Sequence, residues 1–152
     1  MLNIMKPLLL ILIVPLLSFG QINKYPKHYI SIGFLDHKTG SSIVGYTRSI
    51  LQNKNNELFV GAGTLLAQNT FVVGFKKYLL RSFVDGYSVI SMQSIYGMGR
   101  SGFSAPAVSI GVEKKIWKIL FINIGANSII RVYSDNRIEF INLPHLNINI
   151  RF

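Results

Sequence analysis

Three histidines and six carboxylates are the groups in this 152-residue chain best able to move a proton or hold an ion. Asp36-His37, followed by Ser41 and Ser42, is where carboxylate, imidazole and hydroxyl fall closest together. Such a trio suits acyl transfer: a hydroxyl needs an adjacent base to attack an ester, and the base needs a third group to fix its orientation. His37 would be the base and Asp36 its orienter. Against this, no His-x-Ser pair sets base and nucleophile on one strand face, and a histidine in a polar turn is ordinarily just solvated. The chain is therefore expected not to be an enzyme, with no catalytic residue assigned, and acyl transfer through His37 stands as the minority alternative.

Other chemistries lack their spacing. With no cysteine, disulfide frameworks and thiolate metal sites are excluded. There is no Walker loop, dinucleotide fingerprint, EF-hand or His-x-x-x-His zinc pair, so neither metal nor cofactor is expected. Gly97-Met98-Gly99-Arg100-Ser101-Gly102 resembles a phosphate loop only in composition, because no helix follows to aim its amides.

Sixteen basic residues against six acidic ones give a formal charge of +10. A surplus of that size favours polyanions. A nucleic-acid surface would gather its cations on one face among aromatics, whereas here they fall at strand ends and turns, as in Lys76-Lys77, Lys114-Lys115 and Lys118. No nucleic-acid partner is expected.

The elements that position these residues read as strands throughout. Hydrophobic residues make up 49% of the chain and charged residues 14%, well under the usual quarter. From His28 onward the apolar residues recur with period two, and clusters of turn residues punctuate them at 37–41, 52–56, 67–70, 81–86, 97–106, 114–118 and 133–137. These divide the chain into eight strands of roughly 10–12 residues, the length a tilted membrane strand requires. The facing of the second strand stays open, since sending Val44, Tyr46 and Ile50 outward sends Arg48 with them. In the third strand Gly61 and Gly63 fall on the inward face, where they leave room in a narrow barrel.

The last strand alternates most strictly. Leu146, Ile148, Ile150 and Phe152 share one face, while His145, Asn147, Asn149 and Arg151 share the other. This pattern resembles the C-terminal assembly signal of bacterial outer-membrane β-barrels, in which alternate apolar residues lead to a terminal Phe. The resemblance implies an all-β, eight-stranded, antiparallel up-and-down transmembrane barrel in the outer membrane of a Gram-negative cell. It also implies the barrel-assembly machinery as a partner during insertion.

Residues 1–20, with Lys6 ahead of an apolar run from Pro7 to Leu17 and the small-x-small ending Ser18-Phe19-Gly20, have the parts of a cleaved secretory signal peptide. That leaves 21–152 as the barrel. An even strand number puts both ends of the barrel on the periplasmic side. Residues 37–41, 67–70, 97–106 and 133–137 then lie outside, so Lys38, Arg100 and Arg137 are expected to meet lipopolysaccharide headgroups. Tyr46, Tyr78, Tyr87, Tyr96, Trp117 and Tyr133 are candidates for aromatic girdles.

If the apolar faces meet lipid, the polar ones meet in the lumen. Glu113, Arg131, Glu139, His145 and Arg151 are the expected polar network, packed and paired because buried charges demand partners. Eight strands give an interior only wide enough for side chains to fill, so a porin-like shape without a wide pore is expected. The expected role is structural or interactive, in a monomer whose partners are outer-membrane lipids and lipopolysaccharide. Two alternatives remain open. One is a lipid A-modifying acyl hydrolase or acyltransferase barrel. The other is a soluble periplasmic lipocalin-like lipid-binding barrel, in which the faces would be reversed, apolar inside and polar outside.

Overall fold

The computed structural model describes residues 25–97, 100–133 and 137–152; the expected signal peptide, residues 1–20, lies outside them. Eight strands, β1 (His28–Phe34), β2 (Val44–Gln52), β3 (Asn56–Leu65), β4 (Gln68–Leu80), β5 (Asp85–Gly97), β6 (Arg100–Lys115), β7 (Leu120–Val132) and β8 (Ile138–Arg151), follow one another around a closed barrel. Every neighbour pair is antiparallel, and β8 closes on β1 from Tyr29↔Arg151 to Phe34↔Leu146. Closure removes the open edges that an isolated sheet would leave. The expected all-β, eight-stranded, antiparallel up-and-down barrel is the observed one.

Alternation decides the faces. Ile148 is 45% exposed and Asn147 beside it 1%. Along β4, Phe71, Val73 and Phe75 point out while Val72, Gly74 and Lys76 point in. Among the described residues, 21 polar or charged residues are buried against 11 hydrophobic ones, and 28 large hydrophobics are exposed. The barrel is thus inside-out relative to a water-soluble one, and the reversed, lipocalin-like arrangement does not hold. On β2, Val44, Arg48 and Ile50 point outward, which settles its facing with the arginine on the exterior.

We call the end where β1 begins and β8 finishes the near end. Its connections are short: 53–55, 81–84 and 116–119. Asn53 builds the first of them, its side-chain oxygen accepting the amides of Asn55 and Asn56 at 3.1 and 2.8 Å. At the far end the strands run further than turn composition suggests. The expected turn at 67–70 shrinks to Leu66-Ala67, with Leu66 at φ 52°. The expected loop at 97–106 is mostly ladder: β6 pairs with β5 through Phe103, Ser104, Ala105 and Pro106. Cross-strand hydrogen bonding overrides the glycine, serine and proline content that reads locally as a loop.

Strand length is uneven around the barrel. β1 has 7 residues and β2 has 9, against 13 to 16 in β4 through β8. The missing length of β1 and β2 is found inside the barrel.

Candidate functional site

The β1–β2 hairpin does not project from the far end; its tip folds into the lumen. The strands pair from His28↔Arg48 to Ile32↔Val44, and the bridge Asp36↔Gly40 keeps the same register beyond a bend. Leu35 makes that bend at φ 58°, a left-handed conformation unusual for a branched side chain. Asp36, His37, Lys38 and Thr39 are then at most 3% exposed. The inner wall of β2 and β3 is bare where the tip lies. A Cβ added at Gly61 would overlap the Lys38 carbonyl, one at Gly63 would overlap Ser42, and one at Gly45 would overlap Thr39. Glycine is what lets a second layer of backbone fit within eight strands.

Polar contacts hold the tip. Lys38 Nζ donates to Glu57 Oε1 at 2.6 Å and lies 3.7 Å from the Tyr29 ring centroid, and Ser49 Oγ donates to the same carboxylate. Thr39 Oγ1 bonds Ser42 Oγ at 2.6 Å and lies 3.4 Å from Ser31 Oγ on the wall. His37 Nδ1 stands 3.1 Å from Asp36 Oδ1, and its Nε2 is 3.3 Å from Lys76 Nζ. An ammonium can only donate, so Nε2 accepts and the ring proton sits on Nδ1, facing Asp36. Tyr87 OH bridges the two imidazoles, 3.2 Å from His37 Nδ1 and 2.9 Å from His145 Nε2.

A second cluster lies on Glu113. Its Oε2 accepts from Lys76 Nζ at 2.5 Å and Arg151 Nη2 at 2.7 Å, and its Oε1 accepts from Tyr78 OH at 2.8 Å. Arg151 also stacks 3.6 Å from the Phe121 centroid. The described lumen therefore holds three acids, Asp36, Glu57 and Glu113, and three bases, Lys38, Lys76 and Arg151. With neutral histidines it carries no net charge, so the basic surplus of the described residues lies outside it. A buried ion survives only with partners, and each of these has at least one.

Of the expected lumen network, Glu113, His145 and Arg151 are buried as read. Arg131 and Glu139 are not part of it. They face each other across β7 and β8 at the far rim, where Glu139 is exposed and accepts from Tyr133 OH at 2.6 Å, and Arg131 stacks 4.9 Å from Phe103. Strand inclination carries this part of the β7–β8 hairpin beyond the filled section. Lys38, expected at lipopolysaccharide headgroups, is instead 1% exposed on the plugging tip, since its turn leans inward. Arg137 is exposed at the far rim, 5.4 Å from the Tyr133 ring. Arg100 begins β6 opposite Gly97, and its side chain lies outside the described atoms. Tyr78 and Tyr87, read as girdle residues, are lumen residues; Tyr96 and Trp117 are exposed at opposite ends.

Leu146 and Ile148 face outward as the closing-strand pattern requires, with Ile150 and Phe152 half-buried on the same side. The Phe152 ring stacks on His28 at 5.8 Å, and His28 Nδ1 lies 2.6 Å from Tyr46 OH. The residues that sequence reading missed are Lys76, Glu57, Asp36 as a lumen acid, and the tip as a whole. Lys76 was legible: with Phe71, Val73 and Phe75 outward, parity sends it in. As for acyl transfer, Asp36 and His37 do meet, but the hydroxyl beside His37 is Tyr87's, and Ser42 is engaged with Thr39. No protein-family model matches this chain, and no curated protein matches it.

Proposed function

We propose that this chain is a small integral outer-membrane barrel with a structural or interaction role, its lumen filled by its own hairpin and no wide pore standing open. The observation that carries the reading is the inverted exterior. Among the described residues, 22 large hydrophobics on the strands, among them Ile32, Phe71, Ile90, Ile110 and Ile148, stand exposed around a closed sheet. Transfer of a large apolar side chain from water is worth roughly 1.5–3 kcal/mol, so a belt of this size half exposed to water forgoes on the order of tens of kcal/mol. That exceeds the net stability of a typical domain, about 5–15 kcal/mol. Hydrocarbon removes the penalty, and a closed barrel is the β-structure that leaves no backbone group unsatisfied there.

The charges fit the same setting. At the near end Lys27, Arg48, Lys54, Lys77, Arg81, Lys114, Lys115 and Lys118 surround the barrel with Asp85 as their acid, and exposed Phe83 and Trp117 lie among them. Cations beside aromatics at a strand end suit lipid phosphates at a membrane boundary. In this reading the near end is periplasmic, and Arg137 and Arg100 lie toward lipopolysaccharide. Insertion would use the barrel-assembly machinery, and the mature protein would act as a monomer.

A second reading, lipid A acyl hydrolysis or transfer, is favoured by the Asp36–His37 contact of 3.1 Å. It is weakened by the complete burial of His37. Mass spectrometry of lipid A with and without the gene, and with His37→Ala, separates the two; an altered acyl pattern that His37→Ala abolishes favours the enzyme. The barrel reading itself is tested by refolding into phosphatidylcholine vesicles and running the sample on a gel with and without boiling. It expects a mobility shift on heating and protection of the strands from protease, and it fails if neither is seen.

A further inference from the structure

We propose that the inward tip, residues 35–42, is a displaceable plug, and that the barrel conducts water and small hydrated ions when the tip swings out. The inference rests on the membrane reading above and goes beyond it. The tip is a continuation of a hairpin already in register, so leaving the lumen requires a change of direction at Leu35 and no re-pairing of β1 with β2. What holds it in place is mostly polar: Lys38 on Glu57, His37 on Lys76 and Tyr87, Thr39 beside Ser31, and Asn147 Nδ2 donating to the Leu35 carbonyl at 3.1 Å. Each of these contacts exchanges its protein partner for water at a modest net cost, larger for the charged Lys38–Glu57 pair.

A place outside is also waiting. β8 pairs with β7 over its whole length, but β1 reaches only to Leu146, so β8 from Ile138 to His145 has a ladder on one side only. Continuing the β1–β8 register past Phe34↔Leu146 brings Leu35 to His145, Asp36 to Pro144 and His37 to Leu143, with the Asp36 rung one hydrogen bond short because Pro144 has no N–H to give. The swung-out hairpin would therefore gain the strand partner it now lacks.

The vacated space would be wet. Its wall is Gly45, Gly61 and Gly63, with no side chains to collapse inward, and around it stand Glu57, Lys76, Thr47 and Gln93. Gln93 has both amide atoms without a protein partner, and so has Asn123 on the facing wall. A polar cavity of that sort holds water. Its charges balance in the plugged state and stay balanced when the tip leaves, because Asp36 goes with Lys38 and Glu57 and Glu113 remain against Lys76 and Arg151, so the passage would discriminate little between cations and anions.

The absence of cysteine makes a direct test clean. In Ser31→Cys/Thr39→Cys the two sulfurs replace oxygens 3.4 Å apart, close enough for a disulfide to pin the tip to the wall. Lys38→Gln is added to loosen the plug. In planar bilayers with potassium chloride, the oxidised triple variant should be silent, and dithiothreitol should raise open time at least tenfold, with no effect on the cysteine-free parent. Thr39→Cys alone should react with a small charged methanethiosulfonate reagent in vesicles. Insertion with a normal heat shift but equal silence before and after reduction overturns the plug and leaves the membrane reading standing. Failure of the cysteine-free parent to insert overturns both. If the triple variant does not fold, Thr39→Cys decides, and its lasting inertness in a folded barrel overturns the proposal.

Discussion

Lys38 Nζ lies 2.6 Å from Glu57 Oε1, joining a hairpin tip to a strand on the opposite side of β2, in a position where neither side chain sees solvent. That pair ties the plug to the wall, and with the cluster on Glu113 it fixes what the lumen can tolerate.

Glu113→Gln should be among the most damaging lumen substitutions. It leaves Lys76 and Arg151 facing each other without the carboxylate they share, and breaking a buried ion cluster from one side costs about 3–5 kcal/mol. Urea unfolding in detergent micelles, followed by Trp117 emission, reads the change. A midpoint equal to wild type would mean the cluster is solvated.

Gly61→Ala should push the tip off the wall. Its new methyl would overlap the Lys38 carbonyl, a backbone atom that cannot turn aside, and overpacking of this kind costs about 1–3 kcal/mol. Gly97→Ala meets nothing within 4 Å and serves as the control. Thr39→Cys labelling should become faster in the Gly61→Ala background and stay unchanged with Gly97→Ala; equal rates in the two would refute the close packing of tip on wall.

Ile110→Arg should separate a lipid-facing exterior from a water-facing one. The side chain is 62% exposed near the middle of β6. In lipid a midplane arginine costs about 2–4 kcal/mol, whereas in water an exposed substitution stays within about 0.5 kcal/mol. Reversible unfolding from phosphatidylcholine vesicles measures it, and a neutral result argues against hydrocarbon at that face.

Trp117, the single tryptophan, is 71% exposed in the 116–119 connection. If it belongs to an interfacial girdle, its fluorescence should be quenched best by lipids brominated near the headgroup and least by those brominated near the chain end. Quenching only by aqueous acrylamide would place it in water.

Much of this was legible in the sequence, for a physical reason. The two-residue period is a direct record of facing, so the outward set from Ile30 to Ile148 and the inward set on β8 follow from the sequence alone. The same parity assigns Lys76 inward and Lys77 outward; treating the two as one basic strand end hid the lysine that bridges His37 and Glu113. The lean of the β1–β2 tip was not legible. Thr39-Gly40-Ser41 announces a reversal, but its direction is decided by the empty surface of Gly45, Gly61 and Gly63 on the wall of β2 and β3. Gly61 and Gly63 could be read as making room, though not as making it for Lys38 and Ser42. The same limit applies to Arg131 and Glu139, whose parity is right but whose height along the barrel depends on strand stagger.

The membrane proposal puts hydrocarbon around the apolar exterior of a barrel filled with its own polar residues. Fractionation of cells producing the protein tests it most directly. The protein should stay in the outer-membrane pellet after carbonate washing and be released only by detergent. Recovery of native protein in the soluble fraction after osmotic shock alone would contradict it.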